Sequence, residues 1–184
     1  MSEITQTKSI TLREGAERLA KRLAKAGYQA FWVGGCVRDA QLGQSPKDYD
    51  IATDAKPDDI EWLFRKTIPV GKHFGVMMVL EDGHEYQLAT FRAEADYTDG
   101  RRPGSVRFTD AREDALRRDF TVNGLFFDPI AKELHDWVGG QADLEARRIR
   151  TIGDPAERFG EDRLRMLRAV RFAAQLGFKI EPAT

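Results

Sequence analysis

Two carboxylates, Asp48 and Asp50, stand two residues apart in the run Lys47-Asp48-Tyr49-Asp50-Ile51-Ala52-Thr53. In an extended strand, side chains at i and i+2 share a face roughly 6.7 Å apart, so both can converge on one metal cluster. The pair alone is a weak signal, because such spacing also lines solvated strand faces. It becomes a strong one after Val33-Gly34-Gly35-Cys36-Val37-Arg38-Asp39. Glycines let backbone N–H groups approach a polyphosphate closely, and Arg38 can neutralise part of its charge. Magnesium takes hard oxygen ligands, commonly one or two carboxylates plus substrate phosphates. Two such ions about 3.5–4 Å apart can stabilise an attacking hydroxyl and a departing pyrophosphate together. The chemistry these pieces fit is nucleotidyl transfer, with Asp48 and Asp50 as catalytic metal ligands.

A second constellation is Arg117-Arg118-Asp119-Phe120-Thr121-Val122-Asn123, at the predicted junction of a helix and a buried strand. It fits a ribose and phosphate grip and, equally, a salt-bridged helix end. A third lies near the C-terminus, where Asp162, Arg165, Arg168 and Arg171 recur every three residues along a predicted helix face. A carboxylate beside a guanidinium offers an acceptor next to donors, the pattern that cytosine and adenine complement along their Watson–Crick edges. An intrahelical ion pair is the alternative reading of the first two residues.

These groups need elements to hold them. Thr11-Leu12-Arg13-Glu14 is a capping box, and Leu12, Ala16, Leu19, Ala20 and Leu23 follow at helical spacing. Tyr28 to Val33 reads as a buried strand, turned by Gly34-Gly35 into a short helix ending near Gly43. The carboxylate strand is expected over Asp48 to Thr53, and a helix with Pro57 in its first turn towards Lys66. Asp82-Gly83 joins Val76 to Glu81 and His84 to Phe91 as a hairpin. Asp96 to Gly104 reads as loop, Asp110 to Arg117 as helix, Thr121 to Phe127 as buried strand, and Asp162 to Leu176 as the last helix, apolar at Leu164, Leu167, Val170 and Ala174. Trp32, Trp62 and Trp137 are expected in the core. The order implies a mixed α/β (α+β) fold.

A chain of 184 residues with 41% hydrophobic content can bury a real core. No apolar run approaches the roughly 20 residues of a membrane helix, and Met1 to Ile10 lacks the layout of a secretory signal, so a cytoplasmic protein without membrane contact is expected. The single cysteine, Cys36, excludes an internal disulfide and reads as a packing residue. His73, His84 and His135 share no ligand spacing. Net charge is −1, but residues 48–99 carry 12 acidic against 5 basic side chains, while arginines crowd the chain from Arg101 onward. Oligomeric state is not legible in the sequence.

The ordered motifs resemble class II tRNA nucleotidyltransferases, the CCA-adding enzymes, and the related bacterial poly(A) polymerases. The resemblance rests on Gly34 to Asp39, Asp48 to Thr53 and Arg117 to Asn123, and on Ala89-Thr90-Phe91-Arg92, Asp99-Gly100-Arg101-Arg102-Pro103 and Arg158 to Ala169. It implies a polymerase-β-like head over residues 1–152, a mixed sheet flanked by helices, then the start of a helical neck over 153–184, without body and tail domains. By the same resemblance Asp48 and Asp50 bind two Mg²⁺ ions, Gly34, Gly35 and Arg38 hold the triphosphate, Arg118 and Asp119 grip the ribose with support from Asn123, and Asp162, Arg165, Arg168 and Arg171 select CTP or ATP and contact phosphate. The implied activity is template-independent addition of CMP and AMP to the 3′ end of tRNA. Alternatives are a poly(A) polymerase or A-only adder with the same head, and a non-catalytic nucleotide- or RNA-binding module. One departure stands out: relatives usually carry an acid where this chain has Gln87.

Overall fold

The computed structural model of the chain describes residues 10–95 and 104–184. Helix α1 (Leu12–Lys25) opens with the expected capping box, the Glu14 N–H donating to Thr11 Oγ1 at 3.2 Å and the Thr11 N–H to Glu14 Oε2 at 2.8 Å. It is followed by β1 (Ala30–Val33), α2 (Gly35–Gln41), β2 (Asp50–Thr53), α3 (Pro57–Leu63), β3 (Thr67–Gly71), β4 (Val76–Glu81) and β5 (His84–Thr90). The β4–β5 hairpin turns on Asp82 and Gly83, whose φ angles of 51° and 82° are the left-handed pair that an Asp-Gly turn supplies. Strands β6 (Arg92–Ala95) and β7 (Ser105–Phe108) form a separate antiparallel ribbon. Then come α4 (Ala111–Leu116), β8 (Phe126–Asp128), β9 (Glu133–His135), α5 (Gly140–Glu145), β10 (Arg148–Ile149), α6 (Pro155–Glu161), α7 (Leu164–Leu176) and β11 (Lys179–Ile180).

The main sheet runs β3-β4-β5-β2-β1-β8-β9 and is mixed: β2 and β5 are parallel, the other neighbours antiparallel. Period-two alternation gives it two different faces. Trp32, Ile51, Leu88 and Met77 are cross-strand neighbours on one face and pack in the main core with Leu19 and Leu23 of α1 and Ile60 of α3. Val33, Asp50, Gln87 and Met78 form the corresponding row on the other face. There Ala111 and Ala115 of α4 cover Phe31, Val33, Ala52 and Phe126. The uncovered part, around Asp50 and Gln87, floors a cleft.

Several sequence expectations need correction. The carboxylate strand begins at Asp50, not Asp48, because β1 ends at Val33, the partner of Asp50, and Gly34 turns the chain away. Thr121 to Phe127 is not one strand. Thr121–Asn123 is a turn of 3₁₀ helix, held by Thr121 Oγ1 donating to Asp143 Oδ2 at 2.6 Å, and only Phe126–Asp128 pairs in the sheet. An apolar run cannot by itself distinguish these states. The helix expected to reach Lys66 stops at Leu63, where Phe64 turns extended and the unforeseen edge strand β3 follows. Trp62 lies on the solvent side of α3, 83% exposed, opposite the buried Ile60 and Leu63.

The last helix also differs. It starts at Leu164, and the face it buries is Arg165, Ala169 and Phe172, while Leu164, Leu167 and Val170 are exposed. Packing chose the face carrying Arg165 because Phe172 sits edge-on to Phe120, 5.9 Å between centroids. The C-terminal segment is joined to the rest by parallel pairing of β10 with β11 and by the Thr151 N–H donating to Thr184 Oγ1 at 3.1 Å. Among the described residues no helix is long and apolar enough to cross a membrane.

Candidate active site

Gly34 is the hinge of the site. Its φ of 72° and ψ of −129° belong to a region that a side chain makes costly, and a Cβ there would stand 3.3 Å from Arg118 Nη1. The turn therefore carries the chain from β1 into α2 while letting a guanidinium close over it. Gly35 opens α2, and beyond it Arg38 donates from Nε and Nη2 to Asp39 Oδ1 at 2.8 and 2.7 Å and from Nη1 to Asn123 Oδ1 at 2.7 Å. Cys36, buried behind this turn, donates to the Val33 carbonyl, and burial, with the nearby Asp50 charge, pushes its thiol up to about 12. It is a packing residue.

A cleft of about 360 Å³ opens on this face of the sheet. Asp50 and Gln87, cross-strand neighbours, lie on its floor, and Gly34, Arg118, Asp119 and Asn123 line one side. Asp162, Arg165 and Arg168 line it from the α6–α7 junction. Seven predicted residues besides Asp50 thus meet Asp50 around one space. Asp48, Gly35, Arg38 and Arg171 do not line it. Asp48 is close enough for its charge to act on Asp50: burial first, then Asp48, raises the Asp50 carboxyl above the ordinary range, against the pull of Arg118. Two anions so placed disfavour each other unless a cation lies between them. A larger cavity, about 560 Å³, lies against Trp32 and Tyr49 on the opposite face of β1, with Arg13 its one charged lining residue. It brings no acid pair together.

The walls are held by ion pairs in series. Glu94 Oε1 accepts from Arg92 and from Arg117, Asp114 accepts from Arg117 and Arg118, and the Arg92 N–H also donates to Asp114 Oδ1. Arg118 stacks over Phe126 at 4.8 Å, and its Nε is buried without a partner among the described residues. Asp119 has both oxygens engaged, Oδ1 by the Phe120 N–H and Asn123 Nδ2, Oδ2 by Arg168. Asp162 caps rather than rides the last helix, its Oδ1 accepting the Leu164 N–H at 2.9 Å. Arg165, 5% exposed, donates to Glu161 and to the Arg158 carbonyl.

Sequence reasoning singled out neither Arg92 with Glu94 nor Asp114 as site residues. The i, i+2 spacing of Arg92 and Glu94 in an extended segment was the available signal for the first pair. The Asp99 to Pro103 motif lies outside the described residues.

This arrangement is that of a nucleotidyltransferase-type fold, and comparison with known proteins agrees. Residues 30–150 match the family model of the Poly A polymerase head domain, and the chain belongs to this family. The CCA-adding enzyme of Bacillus pumilus (strain SAFR-032) is 54% identical over 163 residues, covering 88% of this chain and 40% of that protein. The CCA-adding enzyme of Bacillus subtilis (strain 168) is 49% identical over 163 residues, 88% of this chain and 41% of that protein. Among solved structures, the Bacillus stearothermophilus CCA-adding enzyme in complex with CTP superimposes with a TM-score of 0.86 at 40% identity, covering 95% of this chain and 42% of that one. A tRNA nucleotidyltransferase complexed with a primer tRNA and an incoming ATP analog gives 0.72 at 30% identity, covering 92% and 47%. The chain spans about two-fifths of the length of the curated relatives it matches.

Proposed function

We propose that these residues form the catalytic head and first neck segment of a CCA-adding enzyme, residues 1–152 and 153–184, which adds CMP and AMP without a template to the 3′ end of tRNA in the cytoplasm. The reading rests on one observation above all: Asp50, Arg118, Asp119, Asn123 and the α6–α7 junction border a single cleft. The names of the relatives, CCA-adding enzymes and a nucleotidyltransferase bound to primer tRNA, point the same way.

The donor set fits magnesium. Asp48 and Asp50 offer hard carboxylate oxygens whose mutual repulsion a divalent cation relieves. Among the described residues no group of three or more acidic, histidine or cysteine ligands gathers, so phosphate and water oxygens must complete the coordination. Bound there, Mg²⁺ supplies charge stabilisation to the attacking and leaving oxygens. The chain's own residues bind and orient. Backbone N–H groups at Gly34 and Gly35 with Arg38 receive the triphosphate, and Arg118 and Asp119, steadied by Asn123, hold the sugar. Asp162 and Arg165 face the base, with Arg168 and Arg171 beside the phosphates. The 3′-hydroxyl loses its proton to solvent as its oxygen bonds to the α-phosphorus and the bond to the bridging oxygen breaks, releasing pyrophosphate.

The family model's own description, a poly(A) polymerase head, favours one alternative, an adenylate-only activity. Incubating tRNA that lacks CCA with each labelled nucleotide decides it. CTP followed by ATP incorporation by a longer protein containing this chain supports CCA addition. ATP incorporation alone favours the alternative, and nucleotide binding without pyrophosphate release in that longer protein favours a non-catalytic module.

A further inference from the structure

Phe172, the one aromatic ring of α7, is 8% exposed and edge-on to Phe120. Three guanidinium groups gather around it. The Cζ of Arg38 lies 5.4 Å from its centroid, that of Arg168 5.2 Å and that of Arg171 5.0 Å. They arrive from two elements far apart in sequence, α2 and α7. An aromatic face attracts cations through its quadrupole, and a guanidinium stacked on it keeps its in-plane N–H donors free to point elsewhere.

The charge around the ring does not balance. Arg38 is paired with Asp39 and bonded to Asn123, and Arg168 is paired with Asp119. Arg171 makes no hydrogen bond or ion pair among the described residues, and Phe172 is what it rests on. Three cations therefore share one ring and two carboxylates. Mutual repulsion would splay three long side chains apart in water. The buried ring is the surface common to all three, and the group carries one net positive charge.

We propose that Phe172 is a positioning residue: its ring gathers Arg38, Arg168 and Arg171 into one preformed site for the polyphosphate tail of the incoming nucleotide. The inference deepens the nucleotidyl-transfer reading and rests on it. Phe172 touches no substrate. It acts by lowering the entropy that three arginines would otherwise lose on closing around a phosphate chain.

Replacement of Phe172 with mono-, di- and trifluorinated phenylalanine keeps the ring's shape while draining its electron-rich face. Titration of the 184-residue protein with inorganic tripolyphosphate, followed by calorimetry, should show affinity falling stepwise with fluorine number, about twofold per step, while circular dichroism shows each variant folded. Phe172→Leu should weaken binding about tenfold, and Phe172→Tyr should restore most of it. Equal affinity across the fluorinated series, or a Leu variant that binds like wild type, overturns the proposal. If wild type binds tripolyphosphate while the series is flat, this inference alone falls. If wild type binds neither tripolyphosphate nor CTP, the nucleotide-site reading falls with it.

Discussion

Arg168 and Asp119 form the clasp between α7 and the segment that follows α4: both Nε and Nη2 of Arg168 lie 2.7 Å from Asp119 Oδ2. Asp119 in turn accepts from Asn123 Nδ2, and Asn123 Oδ1 accepts from Arg38. A single relay thus ties α7 to the helix that the glycine turn opens. The Arg168 side chain is partly solvated, so a double-mutant cycle of Asp119→Asn and Arg168→Gln should give a coupling of about 1 kcal/mol rather than the larger value of a buried pair. Urea denaturation of the four proteins measures it. A coupling of zero would mean that α7 is held without this pair.

The acid pair should destabilise the protein that it serves. Burial and the Asp48 charge both raise the Asp50 carboxyl, so its ionised form is strained at neutral pH in the absence of a cation. Asp50→Asn should therefore raise the unfolding temperature in chelator by a few degrees while eliminating nucleotide incorporation in a longer protein. Asp48→Ala should act in the same direction, since it removes the repelling charge. Calorimetry beside an incorporation assay tests both halves, and a variant that is inactive because it unfolds earlier contradicts the argument.

Legibility in the sequence followed locality. The Thr11 capping box, the Asp82-Gly83 hairpin and the Gly34 turn are decided by residues within a few positions of one another, and each forms where expected. The acids and the arginines were identifiable by chemistry before any fold was known, Asn123 through the family resemblance, and most of them line one cleft. What was not legible is set by distant partners. Thr121 turns because Asp143 captures its hydroxyl, α7 buries Arg165 because Glu161 and the Arg158 carbonyl receive it, and Trp62 is exposed because no element covers that side of α3 among the described residues. The service of Phe172 to three arginines was equally hidden, since one of them comes from α2.

Gln87 is the cross-strand partner of Asp50, and Glu at this position would add a second carboxylate to the cleft floor. Like charges opposite each other on neighbouring strands repel, and the scale of other cross-strand pairs, about 0.2–1 kcal/mol, sets the order of the cost. Gln87→Glu should lower stability in chelator by that amount and tighten Mn²⁺ binding several-fold, because the cation gains an oxygen ligand and more charge to neutralise. Electron paramagnetic resonance of free Mn²⁺ reads the affinity directly. An unchanged affinity would show that a metal at Asp50 is out of reach of the neighbouring strand.

Asp114 should set the acid limit of the fold. It is 1% exposed; burial pushes its carboxyl up, but Arg118, Arg117 and the Arg92 N–H together outweigh burial and leave it below the ordinary value of 3.8. A carboxyl with a depressed folded pKa binds its proton less readily when folded than when unfolded. Its contribution to stability is complete above about pH 4 and is lost as pH falls through the folded value. Asp136 shifts the same way: burial again opposes, and the N–H groups of Gln141, Gly140 and Val138 prevail. Wild type should lose urea resistance steeply below pH 4. Asp114→Asn should be less stable by about 3 kcal/mol at pH 7, because it strips a buried partner from Arg118, and should show a flatter decline in acid. Parallel pH profiles for the two proteins would assign the acid limit to other carboxylates, and the arginine wall of the cleft would then not depend on Asp114 for its charge balance.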